Sequence, residues 1–449
     1  MKKVLLAIVV IALVVAGGTA WYVTRTPASP FDGVEASARP DADMIARGKY
    51  VARTADCVAC HSVPDGKPFA GGLKMGTPLG AIYTTNITPS KKDGIGNYTL
   101  AEFDRAMRKG VAADGHRLYP AMPYPSYSKM SDEDVHALYA YFMHEVKPAD
   151  VPDKPSEIPW PLDMRWPIAF WNLVFAPDET YRKVESHDAE WNRGAYLVQG
   201  PGHCGACHTP RGPAFNEKGM DQNSKLYLSG GLLDGWYAPS LRQDPNTGLG
   251  RWSEKDIYDF LHEGRNGHGV IFGSMADAFN NSTQFMTDKD LHAIAHYLKS
   301  LPGDPSRDGK PWSYDGATLA KLSPANRASH PGAQLYAAKC GFCHGLDGKG
   351  QNQWIPPLAG SSSSLAPDAA SQINVTLNGS PRLIAQGMPD SYRMPAYRAQ
   401  LSDKEIADLL SFIRGAWGND GGKVSEDDVA DLRKRTNPAS SQVILLQMR

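Results

Sequence analysis

Three copies of one short pattern, Cys-x-x-Cys-His, carry the residues of this sequence that could do chemistry. They account for all six cysteines of the 449-residue chain, whereas the composition alone would produce only about 0.002 copies. Two thiols three residues apart, followed directly by an imidazole, are the groups that attach a c-type haem and bind its iron. The three copies are Cys57, Cys60 and His61; Cys204, Cys207 and His208; and Cys340, Cys343 and His344.

Other uses of paired cysteines explain this pattern less well. A disulfide would not require a histidine at the same offset each time. A structural zinc site needs ligands in fours, usually with a second cysteine pair near the first. A thioredoxin-like thiol pair would occur once, within an alternating strand–helix pattern that is absent here. The sequence therefore predicts three covalently bound haem c groups.

Each iron is expected to take one histidine and one methionine. Cysteines at i and i+3 lie on one side of a helical turn, so the histidine that follows is carried beneath the porphyrin as the proximal ligand. A thioether is the usual opposite ligand for electron transfer because soft sulfur favours reduced iron. Position in the loop before the last helix of each repeat selects three of the fourteen methionines. These distal candidates are Met122, Met275 and Met394.

Two alternatives to these methionines stay open. Met388, in "QGMPDSY", competes with Met394 for the third iron. Histidine on both faces of the iron is the other scheme, because His116 and His268 precede their methionines by six and seven residues. The third repeat has no such histidine, so the methionine scheme is the one that covers all three irons.

Helices must position these ligands. Before the motifs stand "RGKYVARTADC", "RGAYLVQGPGHC" and "PGAQLYAAKC", which predict a first helix carrying Tyr50, Tyr196 or Tyr336. Each repeat also ends alike, in "MSDEDVHALYAYFMHEV", "MTDKDLHAIAHYLKSL" and "LSDKEIADLLSFIRGAW". Ser or Thr followed by Asp predicts an N-cap with acidic residues in the first turn, and the apolar residues then recur at helical spacing. An all-α fold of three small domains follows.

The predicted boundaries follow the repeats and the proline-rich segments between them. They are 1–24 for an N-terminal membrane anchor or signal peptide, 25–39 for a linker, 40–149 for domain 1, 150–187 for an aromatic and proline-rich connector, 188–302 for domain 2, 303–328 for a second linker, 329–418 for domain 3 and 419–449 for a polar C-terminal tail. Within the tail, "SEDDVADLRKR" is a short helical candidate.

The N-terminus directs the chain across a membrane. Lys2 and Lys3 precede an uncharged stretch from Val4 to Thr24. As a signal peptide, this segment has a basic start, an apolar run and a possible cleavage site after Ala20. As a retained anchor, it matches the roughly 20 residues that span a bilayer, with Trp21 and Tyr22 at the far interface. We favour the anchor, and both alternatives place the remainder outside the cytoplasm.

The connector contains a run of aromatic residues where a linker would normally be polar. Trp160, Trp166, Phe170, Trp171 and Phe175 fall within residues 158–177. The segment could form a membrane- or partner-facing patch, close to where a quinone is reduced. It could equally be a wedge that packs the first domain against the second.

The chain resembles the three-haem cytochrome c subunit of bacterial membrane-bound dehydrogenases, which oxidise alcohols, gluconate, sugars or aldehydes. The likeness covers roughly residues 40–418. The segments that carry it are "RGKYVARTADCVACHS", "GTPLGAIYTTNITP", "YPAMPYPSY", "IPWPLDMRWPIAFWNLVFAP", "NRGAYLVQGPGHCGACHTP", "APSLR", and "CGFCHG" with "MPAY".

This resemblance implies three tandem cytochrome c-type haem domains and a division of labour within a complex at the periplasmic face of the cytoplasmic membrane. A catalytic dehydrogenase subunit of the molybdenum, quinone or flavin type would oxidise the substrate, and this chain would pass the electrons to ubiquinone. The retained anchor leans mildly towards a molybdenum partner. The sequence shows no dinucleotide fingerprint or phosphate loop that would indicate a catalytic site of its own, and a net charge of −1 argues against a nucleic-acid partner.

Two other functions stay open from the sequence. A haem enzyme of the peroxidase type would need an iron with an open sixth position, which rapid binding of cyanide or carbon monoxide would reveal. A free-standing electron carrier to a terminal oxidase would purify without a dehydrogenase partner.

Overall fold

The protein is mainly helical and is built from one helical arrangement repeated three times. The computed structural model describes residues 2–36, 40–77, 79–233, 235–385, 387, 389 and 392–436. Before the first repeat, helix α1 spans Lys2–Thr24. The first unit contains α2 (Ala42–Thr54), α3 (Cys57–Cys60), α4 (Leu100–Asp104), which continues into a π-helical turn, α5 (Tyr124–Tyr127) and α6 (Asp132–His144).

The second and third units follow the same order of elements. After the connector helix α7 (Ile168–Phe175), the second unit contains α8 (Ala189–Gln199), α9 (Gly205–His208), α10 (Glu254–Glu263), α11 (Met275–Asn281) and α12 (Asp288–Ser300). Two short helices, α13 (Pro305–Asp308) and α14 (Thr318–Leu322), lead to the third unit. That unit contains α15 (Pro331–Lys339), α16 (Gly341–His344), α17 (Ser362–Leu365), α18 (Ala370–Asn378) and α19 (Asp403–Arg414), followed by α20 (Glu426–Arg435).

A glycine allows the first and last helices of each unit to cross closely. A Cβ on Gly48 would come within 1.9 Å of the Ala137 carbonyl oxygen of α6, and a Cβ on Gly194 within 1.9 Å of that of Ala293 in α12. In the third unit, a Cβ on Gly332 would lie 2.2 Å from the carbonyl oxygen of Asp408. Because heavy atoms cannot approach so closely, any larger residue would push the two helices apart.

The predicted caps of the last helices are confirmed. The hydroxyl of Ser131 accepts from the amide of Asp134 at 3.2 Å, and that of Thr287 from the amide of Asp290 at 3.3 Å. Ser402 caps α19 through a full capping box. The apolar positions behind these caps are buried as expected, with Val135, Leu138, Phe142, Leu291, Ile294, Ala295 and Leu298 in the cores and Tyr139 half-buried.

The expectation of an all-α fold needs one correction. Lys74–Thr77 (β1) pairs antiparallel with Gly80–Tyr83 (β2), and Gly231–Leu233 (β3) pairs in the same way with Trp236–Ala238 (β4). Strands of three or four residues are too short to show the alternation of apolar and polar residues that reveals a strand in a sequence. Each hairpin follows a cysteine motif, in the first and the second unit.

The first and second units contact each other through the same residues, used reciprocally. Tyr50 of α2 donates to Asp290 of α12 at 2.6 Å, and Tyr196 of α8 donates to Asp134 of α6. The same two carboxylates accept from an arginine of their own unit, which is Arg47 for the first unit and Arg193 for the second. The two units therefore face each other as an approximate twofold pair.

The third unit is attached by other surfaces. Its tyrosine, Tyr336, donates to the carbonyl of Gly345 within the same unit. One of its contacts with the second unit is at β4, where the hydroxyl of Ser371 accepts from the amide of Tyr237 at 2.9 Å. In the preceding linker, the indole of Trp312 donates to the Trp417 carbonyl at 3.1 Å.

The helical candidate in the tail is confirmed as α20. Its Val429 and Leu432 are buried and belong to the core of the third unit. Residues 437–449 of the predicted tail, and the alternative ligand Met388, lie outside the described residues.

Candidate haem attachment sites

Each cysteine motif forms one helical turn within a few residues of the end of the first helix of its unit. In the first unit the amide of His61 donates to the carbonyl of Cys57 at 3.0 Å. The equivalent bonds join His208 to Cys204 at 3.0 Å and His344 to Cys340 at 2.9 Å. The first cysteine and the histidine are thereby held one turn apart, with the second cysteine between them on α3, α9 or α16. This is the local geometry that the spacing of the motif predicts.

All three histidine rings are oriented by the same kind of hydrogen bond. His61 Nδ1 lies 2.7 Å from the carbonyl oxygen of Thr85, and His208 Nδ1 lies 2.7 Å from that of Pro239. His344 Nδ1 lies 3.0 Å from the carbonyl oxygen of Pro356. A carbonyl can only accept, so Nδ1 carries the proton and Nε2 keeps its lone pair for a metal. Such a bond also fixes the ring plane and increases the basicity of the ligating nitrogen.

Burial keeps the three imidazoles in the form that binds a metal. Desolvation lowers the pKa of His61, His208 and His344, and the bond to the carbonyl offsets this lowering in part. The three rings are half-buried, and an imidazole with a lowered pKa stays neutral at physiological pH, the form that can donate to iron.

The first cysteine of each motif does not have the character of a reactive thiol. Burial raises the pKa of Cys57, Cys204 and Cys340 to about 12. A redox-active thiol requires a lowered pKa instead, because the thiolate is the nucleophile. All six cysteines fall within the described residues, and no disulfide joins any two of them.

The donor set also departs from that of a zinc site. Among the described residues, no three His, Cys, Asp or Glu side chains come together in a metal-binding group. Each motif instead offers two thiols and a single imidazole nitrogen, which is the set that tethers a porphyrin and supplies one axial ligand. The residues present therefore fit haem c.

The predicted methionines all precede the last helix of their unit. Met122 is half-buried and packs against the core of the first unit, two residues before α5. Met275 begins α11 and packs beside Ile271 and Phe279. The backbone of Met394 is pinned to Ser380 by two hydrogen bonds, from Met394 N to the hydroxyl at 2.8 Å and from Ser380 N to the Met394 carbonyl at 3.0 Å. As ligands, the three methionines stay a prediction.

The two alternative histidines are engaged with neighbouring side chains. The ring of His116 lies 2.6 Å from Asp114 in the same exposed loop. The ring of His268 stacks on Trp252, with ring centroids 5.1 Å apart, and faces Asp256 at 3.5 Å. These contacts favour methionine over histidine as the second ligand.

Sequence reasoning missed two buried polar groups beside the second motif. Among the described residues, Glu217 Oε2 and the hydroxyl of Tyr227 have no hydrogen-bond partner. Both adjoin Gly205, where a Cβ would lie 2.6 Å from Glu217 Oε2 and 3.0 Å from the Tyr227 ring. No pattern around either residue indicates this position, which depends on how the chain folds back over α9.

The family model for cytochrome c matches the chain in three segments, at residues 45–145, 192–302 and 329–417. Each matched segment contains one cysteine motif, most or all of the first helix of its unit and the whole of the last helix.

Three relatives are similar over most of their length. The cytochrome c subunit of alcohol dehydrogenase (quinone) from Gluconacetobacter polyoxogenes is 50% identical over 415 residues, covering 91% of this chain and 88% of the relative. The gluconate 2-dehydrogenase cytochrome c subunit from Pantoea cypripedii is 48% identical over 398 residues, covering 87% and 90%. The fructose dehydrogenase cytochrome subunit from Gluconobacter japonicus is 38% identical over 432 residues, covering 91% and 86%. The chain therefore belongs to the cytochrome c family, whose members carry covalently bound haem c, and it resembles the cytochrome subunits of dehydrogenase complexes.

Proposed function

We propose that this chain is the electron-transfer subunit of a membrane-bound dehydrogenase complex and carries three haem c groups between a catalytic subunit and ubiquinone. The observation that carries the proposal is the histidine geometry, which recurs in all three units with Nδ1 bound to a carbonyl. The similarity to cytochrome subunits of alcohol, gluconate and fructose dehydrogenases supports it.

The residues of each unit divide the work of holding the cofactor. In each unit the two cysteines would tether the porphyrin, the histidine would bind the iron through Nε2, and Met122, Met275 or Met394 would be the second ligand. When bound, haem c supplies reversible one-electron exchange between ferric and ferrous iron. A thioether ligand would favour reduced iron and would occupy the position that a substrate would otherwise need. This ligand set therefore suits electron transfer better than peroxidase chemistry.

The catalytic partner that the comparisons favour oxidises alcohols, gluconate or sugars. The identities of 50% and 48% are with cytochrome subunits of an alcohol and a gluconate dehydrogenase. We therefore prefer a partner of the alcohol, gluconate or sugar type to the molybdenum-dependent partner that the N-terminal segment suggested.

The complex is proposed to sit at the periplasmic face of the cytoplasmic membrane, with α1 retained as the anchor. Lys3–Thr24 is the helix, within the described part of the chain, that is long and apolar enough to cross a membrane. Lys2 and Lys3 at its start would remain inside, since basic residues stay on the cytoplasmic side.

Copurification tests the proposed function directly. The tagged full chain is isolated from membranes of its source bacterium, and the subunits are identified by mass spectrometry. Ethanol, gluconate or fructose is then added without oxygen, and haem reduction is followed in the visible spectrum. We expect a larger catalytic subunit, haem reduction by one of these substrates and reoxidation by a ubiquinone analogue.

The isolated chain is the matched control. Without the partner, it should not be reduced by any of the three substrates. Substrate-driven reduction of the isolated chain, or rapid binding of carbon monoxide to the native protein, would contradict the proposal.

A further inference from the structure

The connector between the first and second units presents an apolar surface to the outside. Along α7 the exposed residues recur at helical spacing, and Leu173 and Val174 are 65% and 68% exposed. In the preceding loop, Trp166 contacts Phe170 with ring centroids 6.2 Å apart, and Trp160 is 79% exposed. We call this surface the connector face, made up of Trp160, Leu162, Trp166, Phe170, Leu173 and Val174.

The opposite side of α7 is fixed to the body of the protein. Ala169 is buried. Asn172 accepts from the hydroxyl of Tyr124 at 2.6 Å and donates to the carbonyl of Lys109 at 3.2 Å, both in the first unit. The indole of Trp171 donates to the carbonyl of Ala214 in the second unit at 2.9 Å. The inner side thus forms the interdomain wedge that was one of the two sequence-based interpretations, and it holds the connector face outward.

The end of α1 packs against this same helix. Tyr22 donates to the carbonyl of Ala169 at 3.3 Å, and its ring lies 5.7 Å from that of Phe170. The guanidinium of Arg117 donates to the carbonyl of Arg25 at 3.2 Å and so ties the residues after α1 to the first unit. The C-terminal end of α1 and the connector face are therefore side by side.

Helix lengths set the depth of each element relative to a bilayer. The 23 residues of α1 extend about 34 Å, enough for a hydrocarbon core of about 30 Å. Trp21 and Tyr22 would then lie at the far interface, where such aromatic side chains concentrate. The eight residues of α7 extend about 12 Å and cannot span a bilayer, so any contact of this helix with lipid would be at the interface.

We propose that the connector face rests in the interfacial region of the same bilayer that α1 crosses, as a second contact with lipid. The proposal rests on the proposed function in one respect, which is that α1 is retained as a membrane anchor. Lipid is favoured over a protein occupant because the face is continuous with the end of α1 and is rich in tryptophan. The two contacts together would fix the orientation of the first unit above the membrane.

Spin labelling can test this placement. The six native cysteines all belong to haem motifs, so an added cysteine is the one thiol left for labelling in the loaded protein. Leu173→Cys probes the connector face, Val14→Cys probes α1 and Asp427→Cys probes an exposed site on α20 of the third unit. Each variant complex is labelled in phospholipid nanodiscs, and its collisions with lipid-soluble oxygen and a water-soluble nickel chelate are compared.

We expect the ratio of oxygen collisions to nickel-chelate collisions to be several-fold higher for the label at Leu173 than for the label at Asp427. The ratio should be higher still for the label at Val14. Val174→Cys serves as a second position on the same face if Leu173→Cys lowers haem content. The inference would be overturned if the nickel chelate reached the labels at both Leu173 and Val174 freely. A label that neither reagent reaches would also overturn it, because a protein subunit would then cover the face.

The Val14 label separates this inference from the proposed anchor. An oxygen-accessible Val14 together with a nickel-accessible Leu173 overturns the connector inference and leaves the anchor standing. Loss of the Val14 label by cleavage would overturn the anchor, and the Leu173 label would still decide whether lipid covers the connector face.

Discussion

At the scale of single residues, each proposed site depends on one polar bond that the sequence does not reveal. The three motif histidines are recognisable from the cysteines before them. The carbonyls that orient them belong to Thr85, Pro239 and Pro356, which follow their histidines by 24, 31 and 12 residues. Any residue type can supply a backbone carbonyl, and the distance along the chain from histidine to carbonyl differs among the three units. The ligating residues could therefore be predicted, but the atoms that set their orientation could not.

Replacing one predicted methionine ligand should affect one iron only. Met275→Ala removes the thioether of the second unit, so the weak far-red absorption band of methionine-bound ferric iron should lose about a third of its intensity. Visible spectroscopy of the oxidised protein measures this loss. Met220→Ala, a half-buried methionine of the same unit, is the control and should leave the band intact. An unchanged band in Met275→Ala would show that another residue binds that iron.

The buried carboxyl of Glu217 should make stability depend on pH. Desolvation raises its pKa to about 7, although Arg211 and Lys129 oppose the rise. In the unfolded chain the carboxyl ionises near its ordinary pKa of 4.5. The contribution of neutral Glu217 to stability is therefore complete below about pH 4.5 and is lost as the pH rises through about 7, by up to roughly 3 kcal/mol.

Glu217→Gln should remove this dependence, because the amide stays neutral at every pH. We expect the variant to match the parent near pH 4.5 and to unfold at higher denaturant concentration near pH 8. Glu185→Gln, at an exposed carboxylate, is the control and should keep the parental profile. A Glu217→Gln profile that falls as steeply as that of the parent would contradict this role.

At the scale of helices and strands, the sequence predicted the features that depend on residues a few positions apart in a helix. The caps at Ser131, Thr287 and Ser402 were readable because a cap bonds only three residues ahead. The two hairpins were missed because their strands are too short to show a period. The roles of Tyr50 and Tyr196 were missed because their acceptors lie 240 and 62 residues away in the other unit.

The twofold contact between the first and second units should weaken when both tyrosines are replaced. Tyr50→Phe with Tyr196→Phe removes two hydroxyls that donate to carboxylates and accept from the amides of Thr287 and Ser131. Each lost bond should cost about 1–2 kcal/mol, so deuterium exchange at the starts of α12 and α6 should quicken while haem content is retained.

The third unit provides the matched control for this experiment. Tyr336→Phe removes a bond confined to its own unit, so exchange at Ser131 and Thr287 should not change. Equal exchange in the double variant and the parent would contradict the proposed role of the tyrosine pair.

At the scale of the whole molecule, the three repeats have the same internal plan but different surroundings. The first two face each other, the third is joined through β4 and the linker, and the connector with α1 lies against the first unit. The sequence predicted the number and the order of the repeats because each carries its own motif. Their arrangement could not be predicted, because it depends on contacts between residues that are distant in the chain.

The central claim is that each of the three thiol pairs holds a haem covalently. Mass spectrometry of the intact protein, followed by peptide mapping, tests it most directly. The account predicts the mass of the polypeptide plus three haems, with one haem on each peptide that carries Cys57 and Cys60, Cys204 and Cys207, or Cys340 and Cys343, and the loss of one haem in a Cys340→Ala, Cys343→Ala variant. An unmodified cysteine pair in the parent protein, or red colour that acid–acetone extracts from the polypeptide, would contradict it.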